Sequence, residues 1–297
     1  MADPSFSGSG VALVTPFDGE RLAEDVLRAL IRYHHDNGTE ALIVCGSTGE
    51  AATMSAPEQR LAVEIAVDEN AGRLPVIVGC GGSSTRDVVA LAEQAVAAGA
   101  DALLVSGPPY NKPTQKGLIA HVRAVLDATD APVILYNVPG RSAVNMLPAT
   151  IATLADDDRV IGVKEASGDL SQVAEVARLT RGRLELYSGN DDQVLPVMSL
   201  GGRGVISVLA NVAPAATSRM VQAYLAGATA EATSLQLQYL PLVQALFAES
   251  NPIPVKAAVA MLGFKVGGLR LPLTEALPAT KERLRTAMRD VGLVLEA

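Results

Sequence analysis

Lys164, which ends an apolar run, and Tyr136, one structural repeat earlier, are the residues of this chain best suited to covalent chemistry. The run Val160-Ile-Gly-Val163 leads into Lys164 and then breaks at Glu165-Ala-Ser-Gly168. Such a run describes a strand buried on both faces, where an ammonium is costly. Desolvation lowers an amine's pKa, and a neutral amine attacks a carbonyl to form a Schiff base. The plain structural alternative is an end-of-strand lysine that reaches solvent or pairs with Glu165. Tyr136 lies 28 residues before Lys164, about one βα unit, so its phenol can sit near the amine and shuttle protons.

Other groups follow other apolar runs. Gly46-Ser47-Thr48-Gly49-Glu50 offers two hydroxyls and exposed backbone N–H groups suited to cradling a carboxylate, or else an ordinary Ser/Thr helix cap. Pro108-Pro-Tyr110-Asn-Lys-Pro113 is a stiff turn presenting a tyrosine, for which surface packing is the alternative. Arg141 lies on the loop after Tyr136, where a guanidinium can hold a second carboxylate in a two-point grip or form a surface ion pair of little consequence. Ser188-Gly-Asn-Asp-Asp192 reads as a turn and helix cap, and the glycines of Gly201-Gly-Arg-Gly204 let backbone approach a small ligand. Together these make a small mouth with an amine, two phenols, paired hydroxyls and an arginine. That inventory suits Schiff-base chemistry on a small oxo-acid.

The elements that must carry these groups repeat. Eight short apolar runs begin near Gly10, Ala41, Pro75, Ala102, Pro132, Val160, Leu184 and Gly204. Nearly every one is followed by a turn and a segment of helical period, such as Leu61, Ile65 and Ala66, or Val88, Leu91 and Ala95. This predicts a (β/α)8 TIM barrel over residues 1–225, whose site lies at the carboxyl ends of the strands. The turn Thr15-Pro-Phe-Asp-Gly19 lacks the Gly-rich phosphate fingerprint of a doubly wound sheet. Residues 226–297 hold three helix candidates and no flexible linker, which predicts a C-terminal helical extension packed on the barrel.

Composition narrows the partners. A 49% hydrophobic content over 297 residues supports a sizeable core. The net charge of -8, scattered basic residues and 3% aromatics argue against a nucleic-acid surface. No apolar run approaches a membrane span and the start lacks the pattern of a leader, so the expected location is the cytoplasm. Cys45 and Cys80 read as reduced structural thiols rather than a disulfide or metal pair, and His34, His35 and His121 have no carboxylate cluster beside them, so no metal site is expected.

In order along the chain, Gly46-Ser-Thr-Gly-Glu50, Tyr110-Asn-Lys-Pro113, Tyr136-Asn-Val-Pro-Gly-Arg141, Gly162-Val-Lys164-Glu165-Ala, Ser188-Gly-Asn-Asp191, Gly204-Val-Ile-Ser207 and Asn251-Pro-Ile-Pro-Val-Lys256 resemble the dihydrodipicolinate synthase and N-acetylneuraminate lyase superfamily. The resemblance spans essentially the whole chain, and the context of Arg141 points to its synthase branch. It implies a class I aldolase without a cofactor, in which Lys164 forms the imine with pyruvate. Ser47 and Thr48 would hold the pyruvate carboxylate, and Tyr136 would act as general acid and base. Tyr136, Ser47 and Tyr110 would form a proton relay, with Tyr110 donated by a neighbouring subunit. Arg141 would receive the carboxylate of aspartate semialdehyde, and Gly189 and Ile206 would line the pyruvate pocket. The product would enter diaminopimelate and lysine synthesis, and the assembly would be a homotetramer, a dimer of dimers.

Two departures from the pattern matter. Ser47 stands where the synthase branch more often has a threonine, and serine there also occurs in the lyase branch. Ala56, Gln59 and Pro109 stand where lysine-inhibited members have two histidines and a tyrosine, so weak or absent inhibition by lysine is expected. A related aldolase or dehydratase acting on a sugar acid or hydroxy-oxo-acid is the second reading, since Lys164 and Tyr136 would serve it too. A non-catalytic small-molecule-binding barrel is the third.

Overall fold

The β-branched and apolar runs become eight parallel strands, β1 (Gly8–Ala12), β2 (Ala41–Val44), β3 (Val76–Cys80), β4 (Ala102–Ser106), β5 (Val133–Asn137), β6 (Val160–Glu165), β7 (Glu185–Ser188) and β8 (Gly204–Ser207). In the computed structural model, which describes residues 4–296, each strand pairs with the next and β1 pairs with both β8 and β2. The sheet is therefore a closed barrel with helices between the strands, a TIM barrel followed by C-terminal helices. Residues 1–3, with the start read as leaderless, and residue 297 lie outside the described residues.

Alternation along each strand sorts the side chains into two layers. Ala41, Ile43, Ile77, Leu104, Ile134 and Ile206 fill the barrel interior. Leu42, Val44, Val78, Leu103, Val133 and Leu135 belong to the larger core shared with the helices. Below the interior layer the Phe6 ring stacks on Tyr187 with centroids 4.4 Å apart, and the Tyr187 hydroxyl donates to the Phe6 carbonyl at 2.8 Å. This closes the end of the barrel at which the strands begin.

β1 starts and stops two residues earlier than its apolar run predicts. The reason lies in the loop after β8: Val14 N–H donates to Asn211 Oδ1 at 3.1 Å, so a side chain takes the bond a longer ladder would need. At the opposite end Gly8 and Gly204 face each other across the closure, and a Cβ on Gly204 would overlap the Gly8 carbonyl. Only glycine permits that approach at φ 158° and 148° for Gly204 and Gly8.

After the barrel helix Pro214–Leu225 come three more helices, Thr229–Leu246, Ile253–Met261 and Pro278–Asp290. Thr229–Leu246 packs against both Pro214–Leu225 and Pro278–Asp290. Its Leu242, Val243 and Leu246, with Val255, Val259, Leu284 and Met288, are buried in the same core cluster as the strands. Burying one such leucine contributes about 2 kcal/mol. The consequence for function is local: Ile253–Met261 brings its leading residues to the turn after β2.

Candidate active site

The register between β5 and β6 builds the centre of the mouth. Tyr136 pairs with Lys164 and Asn137 with Glu165, so the phenol and the amine project on one face and the next two residues on the other. The Lys164 amine lies 4.4 Å from the centroid of the Tyr136 ring. Lys164 is only 5% exposed, and burial lowers its amine from the ordinary 10.5 to about 8, opposed by the Asp191 carboxylate and reinforced by Arg141. Burial also raises the Tyr136 phenol, while Arg141 and a hydrogen bond with Ser47 pull the other way. The tyrosine therefore stays protonated near neutral pH, ready to donate, beside an amine partly free to attack.

Above this pair a cavity of 690 Å³ opens, with Ser47, Tyr136, Val138, Arg141, Asn251 and Leu273 in its wall. Lys164 is not part of that wall, but its amine lies against the ring of Tyr136, which is. Gly189 follows β7, and a Cβ there would come 3.2 Å from Lys164 Cε and 2.6 Å from Ala166 Cβ, so a larger residue would crowd the amine. Ile206 is fully buried in the interior layer that also contains Tyr136.

The turn after β2 is held in an unusual shape. Cys45 and Glu50 both have φ 56°, a region L-residues rarely occupy, which costs about 1 kcal/mol each and needs outside support. Glu50 supplies it through a buried ion pair, Lys256 Nζ to Glu50 Oε1 at 2.6 Å, with the Arg270 N–H donating to Glu50 Oε2 at 3.1 Å. Lys256 Nζ also donates to the Gly268 carbonyl at 2.7 Å and lies 4.3 Å from the Phe17 ring centroid. Within the same turn Thr48 Oγ1 accepts from Asn251 Nδ2 at 2.9 Å. Arg141 Nη2 donates to the Asn251 carbonyl at 2.7 Å, which leaves further guanidinium donors for a ligand.

Ser47, Tyr136 and Arg141 line the cavity, while Lys164, Gly189 and Ile206 pack behind the Tyr136 ring and Thr48 is linked to the wall through Asn251. Tyr110 stands apart: its side chain is 89% exposed, its φ is 71°, and it is not in the cavity wall, although its neighbour Pro109 is. Gln59 also reaches the wall, with its amide donating to the carbonyls of Ala51 and Met54. Cys45 and Cys80 are free and buried, and burial pushes both thiols up to about 12. His34 bonds Thr39 and His121 bonds Thr85. Among the described residues no three His, Cys, Asp or Glu side chains are grouped to hold a metal ion.

Glu165 does not pair with Lys164. Its carboxylate accepts from Asn137 Nδ2, Gln172 Nε2 and the Ser167 N–H, with Asn145 bridging Asn137 and Gln172. Sequence reasoning missed this network, the Glu50–Lys256 pair, and Asn251 as a link between Thr48 and Arg141. It also read Asp191 only as part of a turn. The structure shows its buried carboxylate accepting from the Ser207 hydroxyl and the Val208 and Leu209 N–H groups, which fastens β7 to β8.

Comparison with known proteins extends this picture. A model of the dihydrodipicolinate synthetase family matches residues 5–291. The 4-hydroxy-tetrahydrodipicolinate synthase of Thermoanaerobacter pseudethanolicus is 52% identical over 295 residues, 99% of each chain. That of Clostridium tetani is 48% identical over 290 residues, 97% of this chain and 99% of its own. Among solved structures, dihydrodipicolinate synthase from Aquifex aeolicus superposes with a TM-score of 0.96 at 40% identity, covering 98% of this chain and 100% of that one. A monomeric dihydrodipicolinate synthase variant gives 0.95 at 42% identity, covering 97% and 98%.

Proposed function

The chain belongs to the dihydrodipicolinate synthetase family, a pyruvate-dependent lyase with 4-hydroxy-tetrahydrodipicolinate synthase activity, and we propose that the Lys164 amine carries the reaction as an imine with pyruvate. The observation that supports this most is the buried amine, lowered to about 8, beside the Tyr136 phenol. Neutral Lys164 attacks the pyruvate keto carbon, and Tyr136 protonates the departing hydroxyl so that water leaves. Loss of a methyl proton gives the enamine, which attacks the aldehyde carbon of L-aspartate 4-semialdehyde. The substrate's own amine then closes the ring onto the imine carbon and displaces Lys164, so no external cofactor is needed. Ser47 and Thr48 hold the pyruvate carboxylate and Arg141 the second one.

Borohydride trapping with pyruvate, followed by mass spectrometry, tests the imine directly. A reduced adduct on Lys164 is the expected result, and its absence would rule out the scheme. The rate of trapping also carries a sign. With a pKa of about 8, the amine is ~10% neutral at pH 7, against roughly one part in 3,000 for an ordinary lysine. Trapping should therefore quicken about tenfold per pH unit below 8 and level off above it. A rate still climbing at pH 10 would mean an ordinary amine.

Arg141 discriminates the synthase from its relatives that act on other aldehydes. Arg141→Ala should raise the KM for aspartate semialdehyde by about 100-fold, through loss of a charge-assisted pair, while changing the KM for pyruvate by less than about threefold. Equal effects on both would count against its role.

The same proposal includes a cytoplasmic setting, supported by the two buried free thiols, and a homotetramer built as a dimer of dimers. The exposed Tyr110 ring, with Leu271 and Leu277 at 78% and 60% exposure, supports burial against a second copy. Tyr110 of that copy would then complete the relay with Tyr136 and Ser47. A monomer in sedimentation of the active protein would overturn this assembly. Lysine should inhibit weakly or not at all, since Ala56 has no ionisable side chain and the Gln59 amide is already committed to backbone carbonyls.

A further inference from the structure

Asn251 is attached to the site in two different ways. Its main-chain carbonyl accepts from Arg141 Nη2, and its side-chain Nδ2 donates to Thr48 Oγ1. The amide oxygen Oδ1 is buried and has no hydrogen-bond partner among the described residues. Thr48 is thus the one hydrogen-bond partner of the side chain among the described residues. A threonine hydroxyl has one hydrogen and two lone pairs. An amide N–H occupying one lone pair turns the hydroxyl hydrogen away from Asn251, and a carboxylate, which only accepts, can be bonded through it.

We propose that Asn251 is a positioning residue that aims the Thr48 hydroxyl proton at the oxo-acid carboxylate, while its backbone carbonyl independently steadies Arg141. The proposal rests on the reading of Thr48 as a carboxylate donor. It assigns the two substrates to different atoms of one residue: the side chain serves pyruvate and the main chain serves the aldehyde. Exchange of the side chain therefore acts on one substrate only. Aspartate in its place inverts the hydrogen bond, because an ionised carboxylate accepts from the Thr48 hydroxyl and sets a negative charge near the bound anion.

Initial-rate kinetics of the full-length enzyme, with each substrate varied, test this on Asn251→Ala, Asn251→Asp, Thr48→Val and the Asn251→Ala/Thr48→Val double variant. Asn251→Ala should raise the KM for pyruvate roughly fivefold to tenfold, the scale of one net hydrogen bond. It should change the KM for aspartate semialdehyde less than about twofold. Asn251→Asp should raise the pyruvate KM further, to about 30-fold or more. In the Thr48→Val background Asn251→Ala should add less than about twofold, since its target is gone. Multiplicative effects in the double variant, or equal rises in both KM values for Asn251→Ala, overturn the proposal. If Thr48→Val raises the pyruvate KM and Asn251→Ala does not, the positioning role alone fails. If Thr48→Val leaves that KM unchanged, the reading of Thr48 fails and this proposal with it. Should Asn251→Asp melt below the assay temperature, the alanine variant and the cycle decide alone.

Discussion

Replacing Lys164 by alanine should lower kcat on the order of 10⁴-fold or more and remove the borohydride-trapped pyruvate adduct. Among the described residues no neighbouring amine can take over. Lys256, also buried, is committed to Glu50 and the Gly268 carbonyl, and Lys112 and Lys116 lie on the segment after β4, away from the cavity wall. The fold should survive, because the side chain's burial is a cost to the folded state rather than a support for it. Lys164→Arg should be as inactive as the alanine variant, since a guanidinium stays protonated and forms no such imine. Steady-state rates and mass spectrometry on both variants check this, and a residual rate within tenfold of the parent would exclude Lys164 as the nucleophile.

Lys256→Met is expected to have the largest effect on stability. The ion pair it breaks is almost wholly buried, with side chains 2% and 1% exposed. Removing the amine leaves the Glu50 carboxylate inside the protein with the Arg270 N–H as its remaining partner among the described residues. Breaking a buried pair in this way costs about 3–5 kcal/mol. For a chain of this size that corresponds to a fall in Tm of about 10 °C. Thermal melting should also show that Glu50→Gln together with Lys256→Met recovers part of the loss, because no bare charge is then left inside. A fall in Tm of less than about 3 °C for the single variant would mean that water or a rearrangement satisfies Glu50.

The two residues of greatest chemical interest were legible because they sit on strands. Side chains alternate between the two faces of a strand, so the 28-residue interval between Tyr136 and Lys164 became a register pair. Ser47, Thr48 and Arg141 were legible by residue type at the ends of such runs. What stayed hidden depends on contacts distant in sequence. Glu50 meets Lys256 across 206 positions and Thr48 meets Asn251 across 203, and no local pattern encodes either meeting. Glu165 was misplaced as a possible partner of Lys164 for the opposite reason. Adjacent residues of a strand point to opposite faces, so nearness in sequence kept the two apart. β1 was misjudged by two residues because Asn211, on a loop about 200 residues later, takes the Val14 N–H.

The two halves of the site differ in what they are built on. Lys164 and Tyr136 are a register pair inside the sheet, with the Glu165 network of neutral donors tying the ends of β5 and β6 behind them. Arg141 sits on a short helical turn, Pro139–Ser142, and its guanidinium bonds the Asn251 carbonyl. The proposed nucleophile is thus part of the chassis, and the proposed aldehyde selector is an accessory bolted to a loop. On that proposal, exchange of residues 138–144 would change the aldehyde partner and leave the imine chemistry in place, which makes that segment the replaceable part for a protein engineer.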